Sequence, residues 1–345
     1  MKIRILLTGA TGNVGFETLK ELVKQKERYE INILDIKSYK NIRLLKRFKK
    51  DINIFWGDIR YYPVVLKAVK NSDFIIHTAA LIPPAADKNP ETAEEINAGG
   101  TYNICKAINE TDSEKFLLFT SSISVYGDRT ENPEIRTSDK LNPSKGDFYA
   151  LTKIKAENIV KTELGNFSIF RLSAVVHPNM KLDPLFFHMP LNTSLEVITA
   201  SDTARALVKS AEKKEYLNEI IFNLGGGEKC RISYNDFLKE NFKILGLKQL
   251  NFPEHAFAEK NFHCGFYADG YILNDILDFR RDTLDDYFDS VRKNVNPVKY
   301  AVTKAFSSII KKRLLRFSEP YKAFKRQDYK NINRFFKTSD IQNAL

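Results

Sequence analysis

Short apolar runs alternate with longer amphipathic stretches along the first 120 residues of the chain. The run KIRILL at 2–7 is apolar enough for a buried strand, and NVGFETLKELVKQ at 13–25 places apolar residues at helical spacing. The same alternation predicts further strands, with helices between them, at 31–36, 51–59, 72–80 and 115–122. Strands that alternate with helices indicate a parallel, doubly wound sheet with helices on both faces.

The pattern becomes less regular in the second half of the chain. A predicted helix at 147–164 leads to a sixth strand, FSIFRLSAVV at 167–176, and beyond Pro178 the elements are shorter. A helix at 201–213 and a strand at 219–225 are predicted there. The chain therefore divides into three predicted parts: a main α/β domain at 1–176, a small α/β lobe at 177–295 interleaved with the main sheet, and a helical extension at 296–345.

The net charge of +11 is concentrated in the extension, which holds 12 lysines and arginines against three carboxylates. The body is close to neutral, so the charge does not indicate a nucleic-acid partner. At 297–317 the apolar positions form one helical stripe: Val298, Val302, Ala305, Phe306, Ile309 and Ile310. We expect this basic amphipathic helix to pack on its own domain or on a sister subunit, and peripheral contact with an anionic membrane surface is the alternative.

Cysteine content and hydropathy bear on the compartment. Cys105, Cys230 and Cys264 lie far apart and form no CxxC pair, so neither a disulfide framework nor a metal site is expected, and the cytoplasm is the expected setting. The sequence has no apolar run of the roughly 18 residues that crossing a membrane requires. The N-terminal apolar run continues into a glycine-rich turn, which favours a strand over a signal peptide.

The segment TGATGNVG at 8–15 follows the first strand and begins the first helix. Gly9, Gly12 and Gly15 are three residues apart, a spacing that permits a tight turn, close backbone approach to a pyrophosphate and a helix N-terminus beneath it. Asn13 and Val14 complete this turn and are expected at the cofactor. The sequence therefore predicts a dinucleotide site at the end of the first strand.

Two carboxylates follow the next two strands of the predicted sheet. Asp35 ends the second strand, where it can accept hydrogen bonds from ribose hydroxyls, and this favours NAD over NADP. NADP remains the alternative because Lys37, Lys40 and Arg43 could bind a 2′-phosphate. Asp58 ends the third strand, next to Ile59, and is expected near the adenine amine.

Tyr149 and Lys153, in FYALTK, lie four residues apart and hence one turn apart on one helix face. Such a pair also occurs by chance. Here it belongs to a set of motifs that occur in one order over about 1–292: the glycine turn, GDI, HTAA at 77–80, INAGGT at 96–101, TSSISVYG at 120–127, YALTK at 149–153, RLSAVVHP at 171–178, and 267–288. Together they resemble the extended short-chain dehydrogenase/reductase family, the NAD-dependent epimerases and dehydratases. The resemblance implies a Rossmann-type domain followed by a substrate lobe.

The resemblance also implies roles for individual residues. Tyr149 would be the acid/base, and Lys153 would lower its pKa and hold the nicotinamide ribose. Ser122 would hydrogen-bond the reacting oxygen, with Ser121 and Ser124 as structural neighbours. The cofactor cleft would be lined or ordered by three further residues, Ala79, Ala80 and Asn97. His77 is expected to be a packed residue beside the cofactor.

The chain departs from the family pattern where substrates bind. Ile123 and Ser124 replace the acidic pair of the sugar 4,6-dehydratases, which disfavours dehydration because neither side chain can shuttle the required protons. Ala174 occupies the place of an asparagine that helps to bind the substrate. Leu195 and His263 occupy the places of two arginines, the residue type that ordinarily binds a diphosphate.

We therefore expect an NAD-dependent epimerase that acts on a sugar nucleotide through a transient keto intermediate. The alternative is an NAD(P)-dependent reductase or dehydrogenase of another alcohol or ketone, and a non-catalytic NAD(P) sensor is a third interpretation. A small-molecule substrate and a homodimer are expected.

Overall fold

The computed structural model describes residues 2–111, 113–179 and 184–337. Residues 180–183 of the predicted lobe and 338–345 of the predicted extension lie outside the described residues, as do positions 1 and 112. The described residues form twelve strands: β1 Ile3–Thr8, β2 Tyr29–Asp35, β3 Ile52–Trp56, β4 Phe74–His77, β5 Phe116–Ser122, β6 Glu134–Ile135, β7 Phe167–Leu172, β8 Ala174–Val176, β9 Ser194–Thr199, β10 Ile220–Leu224, β11 Arg231–Ser233 and β12 Phe266–Tyr267.

The helices lie between and after these strands. They are α1 Asn13–Lys24, α2 Tyr39–Leu45, α3 Tyr62–Lys70, α4 Ala85–Lys88, α5 Pro90–Glu94, α6 Gly100–Asn109, α7 Phe148–Glu163, α8 Ala200–Lys209, α9 Lys214–Leu217, α10 Tyr234–Ile244, α11 Gly270–Leu277, α12 Leu284–Asn294, α13 Pro297–Ala305, α14 Ser307–Leu315, α15 Glu319–Lys325 and α16 Tyr329–Phe335. Within the described residues, no helix is both long and apolar enough to cross a bilayer.

Seven parallel strands form the main sheet, in the order β10-β7-β5-β4-β1-β2-β3. This is the predicted doubly wound α/β arrangement, with the winding direction reversing between β1 and β4. Alternate side chains of β1 serve the two faces: Leu7 packs with α1 and α8 on one side, and Leu6 packs with α3, α6 and α7 on the other. Both faces are therefore buried, as the nearly continuous apolar runs require.

The predicted sixth strand is divided in the structure. Its first part, β7, lies in the main sheet, whereas β8 pairs with β9 in a separate three-stranded sheet, β11-β9-β8. The division comes at Ser173, whose N–H still bonds to Leu224 of β10. The small sheet covers a phenylalanine-rich core that includes Phe186, Phe187 and Phe242.

The domain boundary at 176 stays a prediction. Strand β10 and helix α8 follow that boundary in the chain, yet both pack in the layers of the main sheet. The predicted helix at 201–213 is α-helical to Lys209 and continues as a 3₁₀ turn, Ser210–Glu212.

The apolar stripe of the extension is distributed over two helices that break at Phe306, and its members have different environments. Ile310 of α14, together with Leu314 and Leu315, packs on the core of the small lobe. Val298, Val302 and three further residues of this region are exposed or solvent-facing: Ala305, Phe306 and Ile309. The single continuous helix predicted at 297–317 is therefore wrong in detail, and only part of its stripe packs on its own domain.

Candidate active site

A cavity of about 360 Å³ lies at the carboxyl ends of β1, β2, β3 and β4. Its lining includes seven of the predicted cofactor residues: Gly9, Gly12, Asp35, Asp58, Ile59, Ala79 and Ala80. The position is the point where the winding of the sheet reverses, which is where doubly wound proteins bind ligands. Residues that the sequence reasoning did not select also line it: Thr11, Leu34, Ile36, Asn41, Gly57, Thr78, Leu81 and Ile96.

The glycine turn has the backbone geometry that its sequence predicts. Gly9 has φ of +72°, and a Cβ there would lie 2.7 Å from the Cα of Ala79. Helix α1 begins at Asn13 with neither a capping side chain nor an acidic residue in its first turn. Its N-terminal N–H groups and positive dipole end therefore suit an anion. Asn13, Val14 and Gly15 belong to α1 and do not line the cavity described above.

Gly15 fixes the distance between helix α1 and the turn. A Cβ at this position would lie 2.1 Å from the Gly9 carbonyl oxygen, a distance that forces the backbone to move. We expect Gly15→Ala to destabilise the protein by roughly 1–3 kcal/mol, as overpacking does, and to weaken NAD binding. Thermal unfolding with and without NAD measures both effects. Gly165→Ala is the matched control, since nothing lies within 4 Å of a Cβ there; equal behaviour of the two variants would contradict this role.

Asp35 stands at the rim of the cavity with its carboxylate oriented by the backbone. It accepts hydrogen bonds from the N–H groups of Thr11 (2.8 Å) and Ile36 (2.7 Å) and from the Asn41 amide. Asp58 lines the same cavity, but both its oxygens accept hydrogen bonds from Arg60, and this interaction lowers the pKa of Asp58. Lys40 is the only one of the three predicted phosphate-binding cations among the lining residues.

Asn97 joins two parts of the site. It lies in a π-helical turn, Glu95–Gly99, between α5 and α6. Its amide bonds to the backbone N–H and carbonyl of Leu81 at 2.7 and 3.0 Å and to the Thr152 hydroxyl at 2.9 Å. The residue thus connects the loop after β4 to helix α7.

His77 is buried between two hydroxyls. Its ring nitrogens lie 2.8 Å from Thr8 Oγ1 and 3.1 Å from Thr101 Oγ1. Burial, followed by the charge of Lys153, lowers the pKa of His77 to about 3. A histidine that stays neutral and fully bonded is a packed residue, as the sequence suggested.

Helix α7 brings Tyr149 and Lys153 to the end of β5. Asp147 caps the helix by accepting a hydrogen bond from the Ala150 N–H at 2.8 Å. Lys153 is buried, with Nζ donating to the Thr120 carbonyl at 2.7 Å and lying 5.9 Å from the Tyr149 ring centre. Ser122, two residues beyond Thr120, interacts with the Tyr149 hydroxyl. The three predicted catalytic residues therefore converge.

The predicted effect of Lys153 on Tyr149 is not found. The pKa of Tyr149 is raised, first by burial and then by the Asp147 carboxylate, while the Ser122 hydrogen bond acts in the opposite direction. Burial also lowers the pKa of Lys153 to about 7, so its charge is only partly present at neutral pH. Desolvation thus outweighs the proximity of the two side chains.

Ser121 and Ser124, the neighbours of Ser122, are both buried. Ser121 donates to Glu157, whose carboxylate forms a two-pronged pair with Arg171 at 3.0 and 2.7 Å. Arg171 also donates to the Tyr126 hydroxyl at 2.8 Å. The Ser124 side chain is fully buried. Ser121, Glu157, Arg171 and Tyr126 thus form a buried polar network next to Ser122.

Charged groups from three distant parts of the chain meet at the N-terminus of α7. His263 Nδ1 lies 2.9 Å from Asp147 Oδ2. The guanidinium of Arg334, in α16, lies close to Gly146. A Cβ added to Gly146 would be 3.2 Å from that guanidinium. Asp87 of α4 is close enough to Arg334, His263 and Asp147 for their charges to affect its pKa, which burial raises. Neither Asp87 nor Arg334 belongs to a recognisable motif.

The other two positions that depart from the family pattern lie in strands. Ala174 is in β8, and Leu195 is in β9, where it packs in the small-lobe core. A separate cleft of about 910 Å³ is lined by Tyr126 and several charged residues, but Ser122, Tyr149 and Lys153 are not part of it. Among the described residues, no cluster of three or more His, Cys, Asp or Glu side chains could hold a metal ion.

Comparison with known proteins finds a family model that matches the part of the chain that contains this site. Residues 6–171 match the model of the 3-beta hydroxysteroid dehydrogenase/isomerase family. The match runs from β1 to Arg171 in β7. This segment is just under half of the chain, and over it the chain is similar to that family. The segment matched within this family contains all three predicted catalytic residues.

Curated members of the family are similar over part of their length. The chain is 26% identical to mouse 3 beta-hydroxysteroid dehydrogenase type 7 over 159 residues, 45% of this chain and 43% of that protein. It is 26% identical to the UDP-N-acetylglucosamine 4,6-dehydratase (inverting) of Campylobacter jejuni over 232 residues, 65% of each chain. The chain therefore spans between two fifths and two thirds of these relatives.

Solved structures of the family share the fold. UDP-glucose-4-epimerase from Stenotrophomonas maltophila, with bound NAD and formylated UDP-arabinopyranose, has a TM-score of 0.69 at 18% identity, covering 88% of this chain and 99% of that chain. At this identity the likeness concerns the fold. It extends into the small lobe, beyond the segment that the family model matches.

Proposed function

We propose that the protein is an NAD-dependent epimerase or oxidoreductase that acts on a hydroxyl or keto group of a sugar nucleotide. The convergence of Tyr149, Lys153 and Ser122 at the end of β5 is the observation that carries the proposal. Asn97 joins this site to the cavity, because it bonds to Leu81 of the cavity lining and to Thr152 of α7. Several similar proteins support it by name, including a UDP-sugar dehydratase and a UDP-glucose 4-epimerase.

The residues that line the cavity suit the chemistry of a dinucleotide. Gly9 and Gly12 leave room for a pyrophosphate, and the α1 N-terminus supplies N–H donors. Asp35 would accept hydrogen bonds from ribose hydroxyls and repel a 2′-phosphate, so NAD is favoured, with NADP as the alternative through Lys40. The nicotinamide would supply the hydride acceptor and donor.

Tyr149 would move the proton. Its raised pKa keeps the phenol protonated at neutral pH, which suits protonation of a carbonyl oxygen. Ser122 would hold the same oxygen, and Lys153, fixed by Thr120, would bind the nicotinamide ribose. Dehydration is disfavoured, because Ile123 and Ser124 carry no acid.

The substrate would lie between α7 and the small lobe. Arg334 offers a guanidinium on this side, although the family's arginine positions hold Leu195 and His263. Those departures are the specific observation in favour of the second candidate, a reductase or dehydrogenase of an alcohol or ketone that is not a sugar nucleotide. The match to the 3-beta hydroxysteroid dehydrogenase/isomerase model agrees with this alternative.

A substrate panel distinguishes the candidates. The purified protein would be denatured to identify any retained dinucleotide, then incubated with UDP-sugars and with hydrophobic ketones while absorbance at about 340 nm is followed. We expect a sugar isomer to form without net NADH. Stoichiometric NADH change with an unrelated alcohol or ketone supports the second candidate, and no turnover of any compound contradicts both. The predicted homodimer is a separate proposal, tested by light scattering.

A further inference from the structure

Helices α13 and α14 follow one another on the small lobe with a break at Phe306, and together they are called the rod below. Hydrogen bonds of helical spacing cross the break between them, from the Phe306 N–H to Val302 and from the Ile310 N–H to Phe306, both at 3.0 Å. One side of the rod is anchored, because Ile310 and Leu314 pack on the lobe core and Lys311 donates to Gln249 at 3.1 Å. The rod is therefore held in a fixed orientation.

Its opposite side carries an apolar ridge, consisting of Val298, Val302, Phe306 and Ile309. These side chains are 72%, 51%, 53% and 64% exposed, respectively. Their spacing of four, four and three residues places them along one face. Large apolar side chains that are exposed singly are ordinary, but a contiguous row of them marks an interaction surface.

Cations surround the ridge. Residues 296–318 include six lysines and arginines and no carboxylate. Five of the six are exposed and form no ion pair within the described residues: Lys299, Lys304, Lys312, Arg313 and Arg316. Helical spacing places Lys299 and Lys312 beside the ridge. It places Arg313 and Arg316 on the same face as the ridge, beyond Ile309.

The neighbouring surface of the small lobe is also positively charged. A groove between the end of α10 and helix α13 is lined by Lys239, Lys243, Lys248 and Lys304. The carboxylates on α10, Asp236 and Glu240, are already paired with Lys239 and Arg292. The ridge thus lies within a basic surface whose few acids are neutralised.

We propose that the apolar ridge and its cations form a peripheral docking surface for an anionic lipid bilayer. Apolar side chains would enter the boundary of the headgroups and acyl chains, while the cations meet lipid phosphates and carboxylates. A second copy of the chain fits less well, because a two-fold axis would bring this cationic surface against itself. Four side chains are also far fewer than the roughly 20 residues per partner of a stable interface.

Vesicle sedimentation of the full chain tests the proposal. We expect binding to phosphatidylcholine vesicles that contain phosphatidylserine, little binding to pure phosphatidylcholine, and loss at high salt. Val302→Asp with Ile309→Asp should weaken binding by at least about tenfold, since two carboxylates replace inserted apolar groups. Tyr216→Asp is the matched control, an exposed apolar residue elsewhere that should leave binding unchanged.

Other outcomes would overturn it. Equal binding of the ridge variant and the wild type would mean that the cations attract any polyanion and the ridge does not insert. Absence of vesicle binding, together with a dimer that Ile309→Asp makes monomeric, would assign the ridge to a second copy. Circular dichroism should show unchanged folding of the variants, because the substituted side chains are mostly exposed.

Discussion

Tyr149→Phe should lower turnover by about 10²–10⁴-fold while leaving NAD binding and the melting temperature nearly unchanged. The substitution removes only the hydroxyl that would transfer the proton, and proton transfer by a positioned side chain contributes an effect of this size. Steady-state kinetics on the substrate found in the panel, with NAD affinity measured by fluorescence, checks both parts. Tyr271→Phe, at an exposed tyrosine on α11, is the control.

The pH dependence follows from the raised pKa of Tyr149. Oxidation of a hydroxyl needs the deprotonated phenol, so its rate should rise as pH increases above neutrality. Reduction of a carbonyl needs the protonated phenol, so the rate of reduction should stay constant as the pH increases above neutrality. If Tyr149→Phe keeps more than about a tenth of the activity, the acid/base is another group.

Arg171→Met should destabilise the protein by about 3–5 kcal/mol. The substitution leaves the Glu157 carboxylate, which is 0% exposed, without its two-pronged partner, and an unpaired buried charge has a cost of this size. It also removes the donor to the Tyr126 hydroxyl. The midpoint of urea unfolding, compared at a common slope, gives the difference in free energy.

Two control variants test whether the loss of stability in Arg171→Met comes from an unpaired buried charge. Arg136→Met breaks an ion pair in which both side chains are 56% exposed, and it should change stability by less than about 1 kcal/mol. Glu157→Met combined with Arg171→Met should be less damaging than Arg171→Met alone, because no buried charge remains. A double variant that is simply the sum of the two single variants would argue against a coupled pair.

Local patterns predicted much of this protein. The alternation of apolar runs predicted the parallel, doubly wound sheet, and the strand–glycine–helix segment predicted a tight turn, in which φ at Gly9 is +72°. The convergence of Tyr149 and Lys153 followed from four-residue spacing alone. Each of these features lies within a short window, where backbone geometry fixes the relation between residues. The assignment of Ser122 needed family resemblance in addition.

The features that the sequence did not reveal depend on contacts between distant segments. The length of a strand depends on the strands it pairs with. Strand β7 therefore ends at Leu172, and after Ser173 the chain pairs with β9 as strand β8. The stripe of the extension is divided because only the Ile310 side meets the lobe core.

Electrostatics also depended on the tertiary structure. From the sequence, Lys153 was expected to acidify Tyr149, but the pKa of the phenol is raised because burial and Asp147 dominate. Arg334, far along the chain, reaches the start of the same helix near Asp87. Residue order thus determined the fold and the spacing of Tyr149 and Lys153 on one helix face. Desolvation and through-space charge, which exist only once remote segments pack together, decided the environment of these two side chains.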